Sequence, residues 1–128
     1  QMTIGDPGAK VTPPLLLDAI EELRDAGAEA IQVGDVRVVA SSSFGQAGSG
    51  IEIDGIKLTQ PYSILAIGDA QTMSSAMEIP GGLSENVRQL GASITVTQRS
   101  DLTVGALHAL IEPRYARPVP SPAPAATP

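Results

Sequence analysis

No cysteine and no tryptophan occur in the 128 residues, and the aromatic side chains are Phe44, Tyr62 and Tyr115. Without cysteine there is no disulfide, no zinc–thiolate site and no thiol nucleophile, and the redox compartment is left open. With so few rings, the core must be filled by Ile, Leu, Val, Ala and Met, which suits layered packing of helices on strands and disfavours a pocket lined by aromatics. Positive charge is also scarce. Fourteen acidic residues against eight basic ones give a net charge of −6, and the basic residues, from Lys10 to Arg117, are scattered singly. Such a field repels phosphate backbones, so nucleic acid is excluded as a partner. No apolar run approaches the roughly 20 residues needed to span a bilayer, and no signal-peptide pattern is present. The sequence opens on Gln1 rather than on an initiator methionine. The reading therefore expects a piece of a longer protein, with any membrane anchor upstream.

What is present reads as one domain. Thr12 followed by Pro13 and Pro14 is a helix entry, a side-chain oxygen for an orphan amide and prolines where a missing N–H costs nothing. Leu16, Ala19, Ile20 and Leu23 then recur at helical spacing, and Gly27 stops the helix. Before it, Met2, Ile4 and Val11 surround the turn formers Gly5-Asp6-Pro7-Gly8, which suggests a broken edge segment or two short strand pieces. After it, Ala28–Val33 and Val36–Ala40 read as strands, as do Ile51–Ile53 and Ile56–Leu58 around Asp54-Gly55. Asp-Gly favours a two-residue hairpin turn. That turn sets Glu52 opposite Lys57 as an exposed ion pair, with Ile51, Ile53, Ile56 and Leu58 on the buried face. Ser41 to Gly50 reads as a mobile small-residue connector.

Tyr62–Gly68 is apolar at nearly every position, which predicts a central strand covered on both faces. Asp69 caps a helix carrying Ala70, Met73 and Met77, and Pro80-Gly81-Gly82 breaks it. A second helical piece carries Leu83, Val87 and Leu90, and Ile94 and Val96 mark a last strand. Leu102–Ile111 is ambiguous between strand and helix. Six prolines fall between Pro113 and Pro128, so that stretch is expected to be extended or disordered. The fold class is α/β (α+β): a single domain over 1–112, core about 12–104, with a Pro/Ala-rich tail over 113–128. Its sheet is expected to be mixed, with hairpins, about five to six strands and helices covering one face.

Chemistry is hard to find. His108 is the single histidine; no nucleophile-elbow pattern surrounds a serine, so no catalytic residue is assigned. One histidine and no cysteine exclude the common transition-metal sets, and no loop has calcium-binding spacing, so no metal or cofactor is expected. Phe44-Gly45-Gln46-Ala47-Gly48-Ser49-Gly50 lacks the Lys-Ser/Thr ending of a phosphate loop. Glu29, by alternation, shares a face with Ile31 and Val33. It is either an exposed acid at a strand end or a partly buried one in a structural pair with Arg37.

The string Ala26-Gly27-Ala28-Glu29-Ala30-Ile31-Gln32-Val33 with Arg37 and Ser41–Ser43, then Ile53-Asp54-Gly55, Pro61–Asp69, Gly81-Gly82 and Leu102-Thr103-Val104, resembles the YlxW-like family. These are Gram-positive and actinobacterial proteins with a domain of unknown function. The resemblance covers roughly Thr12 to Val104. It implies a short cytoplasmic start, one transmembrane helix, a coiled coil and then this domain outside the membrane, with a role in the cell envelope and division. It carries over no catalytic residue. Small residues at Ser43–Gly50 and the Pro/Ala tail depart from the family pattern.

Together these readings predict a non-catalytic, extracytoplasmic interaction or scaffold domain of a membrane-anchored envelope protein that binds a protein partner. The isolated domain would be a monomer or weak dimer. The expected contact surface is the segment between the hairpins: Ser41, Ser42, Ser43, Phe44, Gly45 and Gln46. The rival readings are a small-molecule-binding regulatory domain and, less favoured, a hydrolase.

Overall fold

Thr12 does what its place before two prolines predicts. In the computed structural model, which describes residues 1–99, its side chain accepts the Leu15 N–H at 3.2 Å. Helix α1 runs over Pro13–Asp25 and buries Leu16, Ala19, Ile20 and Leu23. It ends in a double-bonded turn: Gly27, at φ 99°, donates to the Arg24 carbonyl at 2.9 Å, and Ala28 donates to that of Leu23 at 2.9 Å. Only glycine enters that left-handed conformation without strain. The same device closes α3 (Leu83–Gln89), where Gly91 at φ 84° donates to Arg88 and Ala92 to Val87. In both cases Gly-Ala leads the chain off a helix and straight into a strand.

The strands are β1 (Met2–Gly5), β2 (Ala30–Val33), β3 (Val36–Val38), β4 (Phe44–Ala47), β5 (Gly50–Ile53), β6 (Ile56–Lys57), β7 (Tyr62–Ile67) and β8 (Ser93–Val96), with α2 (Ala70–Met77) between β7 and α3. They form a five-stranded sheet in the order β3-β2-β7-β1-β8 and a three-stranded sheet, β4-β5-β6. The domain is α+β, as expected, but the strands divide between two sheets and every pair in them is antiparallel. The mixed single sheet is corrected accordingly. Strands β1, β2, β7 and β8, joined in sequence by β1-α1-β2 and β7-α2-α3-β8, lie in the order β2-β7-β1-β8, the split βαβ arrangement of ferredoxin-like folds. β3 extends that sheet at one edge, and β4–β6 are inserted between its two halves.

Register decides which residues meet the helices. Met2 lies between Ile64 and Val96, Ile4 between Tyr62 and Ile94, and Val33 beside Ile64. These side chains alternate onto one face, where Met2, Ile4, Ile31, Val33, Tyr62 and Ile64 join the buried residues of α1 in the core. The other face carries Thr3, Ser63, Leu65 and Thr95. Two expectations change here. The first residues are no broken edge segment, because β1 is paired on both sides and the core starts at Met2 rather than near residue 12. β7 is the middle strand as predicted, yet Ser63, Leu65 and Ile67 are half-buried, so it is not sealed on both faces.

Asp6 fixes the start of this arrangement. It is 1% exposed, and its carboxylate accepts the N–H of Lys10 at 2.8 Å and of Val11 at 2.7 Å. Its own N–H donates to Gln60 Oε1 at 2.7 Å, and Gln60 Nε2 donates back to the Asp6 carbonyl at 2.6 Å. Tyr62 stands beside this cluster. Burial raises its phenol above the ordinary range, the Asp6 charge raises it further, and a hydrogen bond with Gln60 opposes both.

Two outcomes follow. Asp6→Ala leaves two amides without their acceptor and should cost about 3 kcal/mol in urea denaturation, with Asp6→Asn losing less. A raised folded-state phenol favours the protonated form, so Tyr62 stabilises the fold fully below its ordinary pKa and loses that contribution as pH rises through the folded value. Calorimetric melting temperature should therefore drop above about pH 10, and the drop should shrink in Tyr62→Phe.

Candidate functional site

The Ser41–Gln46 segment is not the mobile connector its composition suggests. Val39 N–H donates to Ser42 Oγ at 2.9 Å and Ser42 N–H returns to the Val39 carbonyl at 3.0 Å, which closes a turn. Ser43 N–H then donates to Asp54 Oδ1 at 2.9 Å, while Asp54 N–H donates to the Ser43 carbonyl at 2.8 Å. From Phe44 the chain is strand β4, with Phe44 opposite Ile53, Gly45 opposite Glu52 and Gln46 opposite Ile51. Ladder bonds need only backbone, so small residues pair with β5 as well as large ones do, and the half-buried Phe44 ring supplies the contact with the core. Of the proposed surface residues, Ser41, Ser43 and Gln46 are exposed and Ser42, Phe44 and Gly45 are half-buried.

Asp54-Gly55 forms the hairpin turn read from the sequence, with φ values of 53° and 81°, both positive as that turn requires. Glu52 stands opposite Lys57 as predicted. The ion pair does not form: the salt bridge among the described residues is Arg88–Glu78, at 3.4 Å. Ile51, Ile53 and Leu58 are buried, but Ile56 is 53% exposed on β6, a two-residue strand at the edge of its sheet. Val39 is 45% exposed. The Ser43–Asp54 bonds tie the turn that follows Val39 to the tip of the hairpin that leads to Ile56.

Glu29 and Arg37 are not the pair that alternation suggested. Glu29 is exposed and precedes β2, its N–H donating to the Ile67 carbonyl at 2.7 Å. Arg37 stands opposite Gln32, on the face away from Ile31 and Val33.

A cavity of about 390 Å³, foreseen by no sequence signal used above, opens at the other end of the large sheet. Its floor is Met2, Leu23, Ile64, Met73, Met77 and Val96, drawn from β1, α1, β7, α2 and β8, and its rim includes Asp69, Gln98 and Arg99. All three methionines of the chain line it, a convergence that spacing in sequence cannot display. Asp69 caps α2 by accepting the Thr72 N–H at 3.0 Å. The Thr72 hydroxyl and N–H together hold its carboxyl below the ordinary range. Arg99 Nη1 donates to Gln1 Oε1 at 3.1 Å, and Gln98 Nε2 donates to Gln71 Oε1 at 3.4 Å, which links the strand end to α2. An apolar floor under a rim of donors and one committed carboxylate is a binding chemistry. Among the described residues no group of three or more His, Asp or Glu could hold a metal ion. His108, Leu102–Ile111 and the 113–128 tail lie outside the described residues.

Among the described residues no helix is long and apolar enough to cross a membrane. A UPF0749 protein of Mycobacterium tuberculosis, Rv1825, is 46% identical over 123 residues, which cover 92% of this chain and 42% of that protein. YlxW of Bacillus subtilis, another UPF0749 protein, is 24% identical over 87 residues, 68% of this chain and 38% of its own. The chain thus spans about two-fifths of the length of these relatives. A crystal structure of an uncharacterized conserved protein from Mycobacterium tuberculosis matches with a TM-score of 0.70 at 37% identity, covering 92% of this chain and 85% of the other. The profile of the bacterial family of unknown function DUF881 matches residues 1–117. The chain therefore belongs to the DUF881 family, in agreement with its resemblance to YlxW-like proteins.

Proposed function

We propose that this domain is a non-catalytic protein-interaction module of a longer bacterial envelope protein, and that its docking surface is the end of the small sheet formed by Val39, Ser41–Gln46 and Ile56. The observation that carries this reading is that Val39 and Ile56, both exposed and apolar, stand beside a turn and a hairpin tip that Ser43 and Asp54 lock together. Single exposed apolar residues are ordinary on any surface, but a pre-organised pair loses little entropy on docking. The relatives' greater length leaves room for further segments. The membrane anchor that the family resemblance implies would put this domain outside the cytoplasm, among partners that organise the wall and division.

Photo-crosslinking in cells tests the surface. With a photoreactive residue in the full-length protein, positions 39 and 56 should give the same protein adduct and position 90 none. Val39→Glu combined with Ile56→Glu should remove that adduct with little change in melting temperature. An adduct at position 90 with none at 39 and 56 would refute the assignment. The location is tested separately: protease added to intact spheroplasts should digest this domain, and full protection would place it inside.

A further inference from the structure

The cavity beside α2 is independent of the small-sheet surface. It is a cleft of about 390 Å³ open to solvent on one side. It falls within the roughly 300–1,000 Å³ typical of small-molecule sites. Its walls say what would fit. No aromatic residue lines it, so nothing there would stack on a planar ring. Met2, Met73 and Met77 are each at most 7% exposed, and their unbranched, polarizable side chains adapt to a flexible apolar guest.

The lining is mixed, with Gln1, Ser74, Thr97 and Gln98 beside the apolar residues, and its charges mark where a polar end of the guest would sit. Two charged side chains stand there. Asp69 is committed to the α2 N-cap, where the helix's partial positive charge offsets its own. Arg99, whose Nη1 donates to Gln1 Oε1, carries a guanidinium whose planar fork is suited to carboxylates, next to the Gln98 that bonds Gln71 of α2. We propose that this cavity binds an unbranched aliphatic chain bearing a carboxylate, its tail among Met2, Met73 and Met77 and its head at Arg99.

The three methionines give the test its readout, since in the full chain labelled with [methyl-13C]methionine every methyl signal reports from the cavity wall. Decanoate should shift all three signals saturably. Decylamine, with the same tail and the opposite charge, should bind at least about fivefold more weakly, and Arg99→Gln should erase that preference. Ala66→Leu, which fills the cavity from β7, should abolish the shifts, with Ser74→Leu as the second filling variant if the first fails to fold. Methyl signals that ignore decanoate would overturn the proposal, as would equal binding of the two amphiphiles. Signals that ignore both amphiphiles yet move on Leu107→Glu would also overturn it, because the chain's own later segment would then occupy the slot.

Discussion

A carboxylate buried at the end of β1 is the constraint on which the arrangement turns. The carboxylate of Asp6 is held by backbone rather than by a basic side chain: it accepts the amides of Lys10 and Val11, while Gln60 satisfies both its N–H and its carbonyl. A buried charge costs several kcal/mol unless its hydrogen bonds are made, so the 6–11 loop has little freedom to fold otherwise. That loop delivers Thr12 and α1 onto the apolar face of the sheet. Gln60 joins the same end of β1 to the entry of β7, the strand beside it. One cluster therefore fixes the register of two adjacent inner strands, β1 and β7, and the starting point of the helix that covers them.

From there the chain runs the same device twice. α1 and α3 both end in a glycine turn with an Ala that donates back to the helix, and both feed a strand of the large sheet. The halves differ in what lies over the sheet. The first has one continuous helix of 13 residues; the second is interrupted at Pro80-Gly81-Gly82, giving α2 with eight residues and α3 with seven. An eight-residue helix is about 12 Å long. It roofs only part of the strands beneath it, and the cavity is what remains open beside Met73 and Met77.

The elements governed by local chemistry were legible in the sequence. Thr12 with its two prolines, Gly27, Asp69 and Asp54-Gly55 each act within a few residues of themselves, through a cap, a left-handed turn or a hairpin. The failures involve partners distant in sequence. Composition labelled Ser41–Gly50 a connector because nothing local announces that β5 will pair with Phe44–Ala47. Alternation assigned Ile56 to the core because it cannot show that β6 is an uncovered edge. Asp6 looked like one turn former among several because Gln60, 54 residues away, completes its environment. The cavity was invisible for the same reason: Met2 and Met73 meet only after β1 has entered between β7 and β8. Family resemblance added the identity of the domain and nothing about these contacts.

The order of the large sheet sets the two candidate sites apart. β3 forms one edge and β8 the other, so with strands about 4.8 Å apart roughly 19 Å separates them. Val39 directly follows β3, and the cavity lies at β1, β7 and β8. α1 packs against both β4 and α2. It also contributes Leu23 to the cavity floor while Leu16, Ala19 and Ile20 stay buried along its length. A guest pressing on Leu23 therefore bears on a rigid element whose other neighbour is the strand that begins at Phe44. Coupling between the sites would require α1 to have two alternative positions. The Asp6 loop at one end of α1 and the Gly27 turn at the other oppose that.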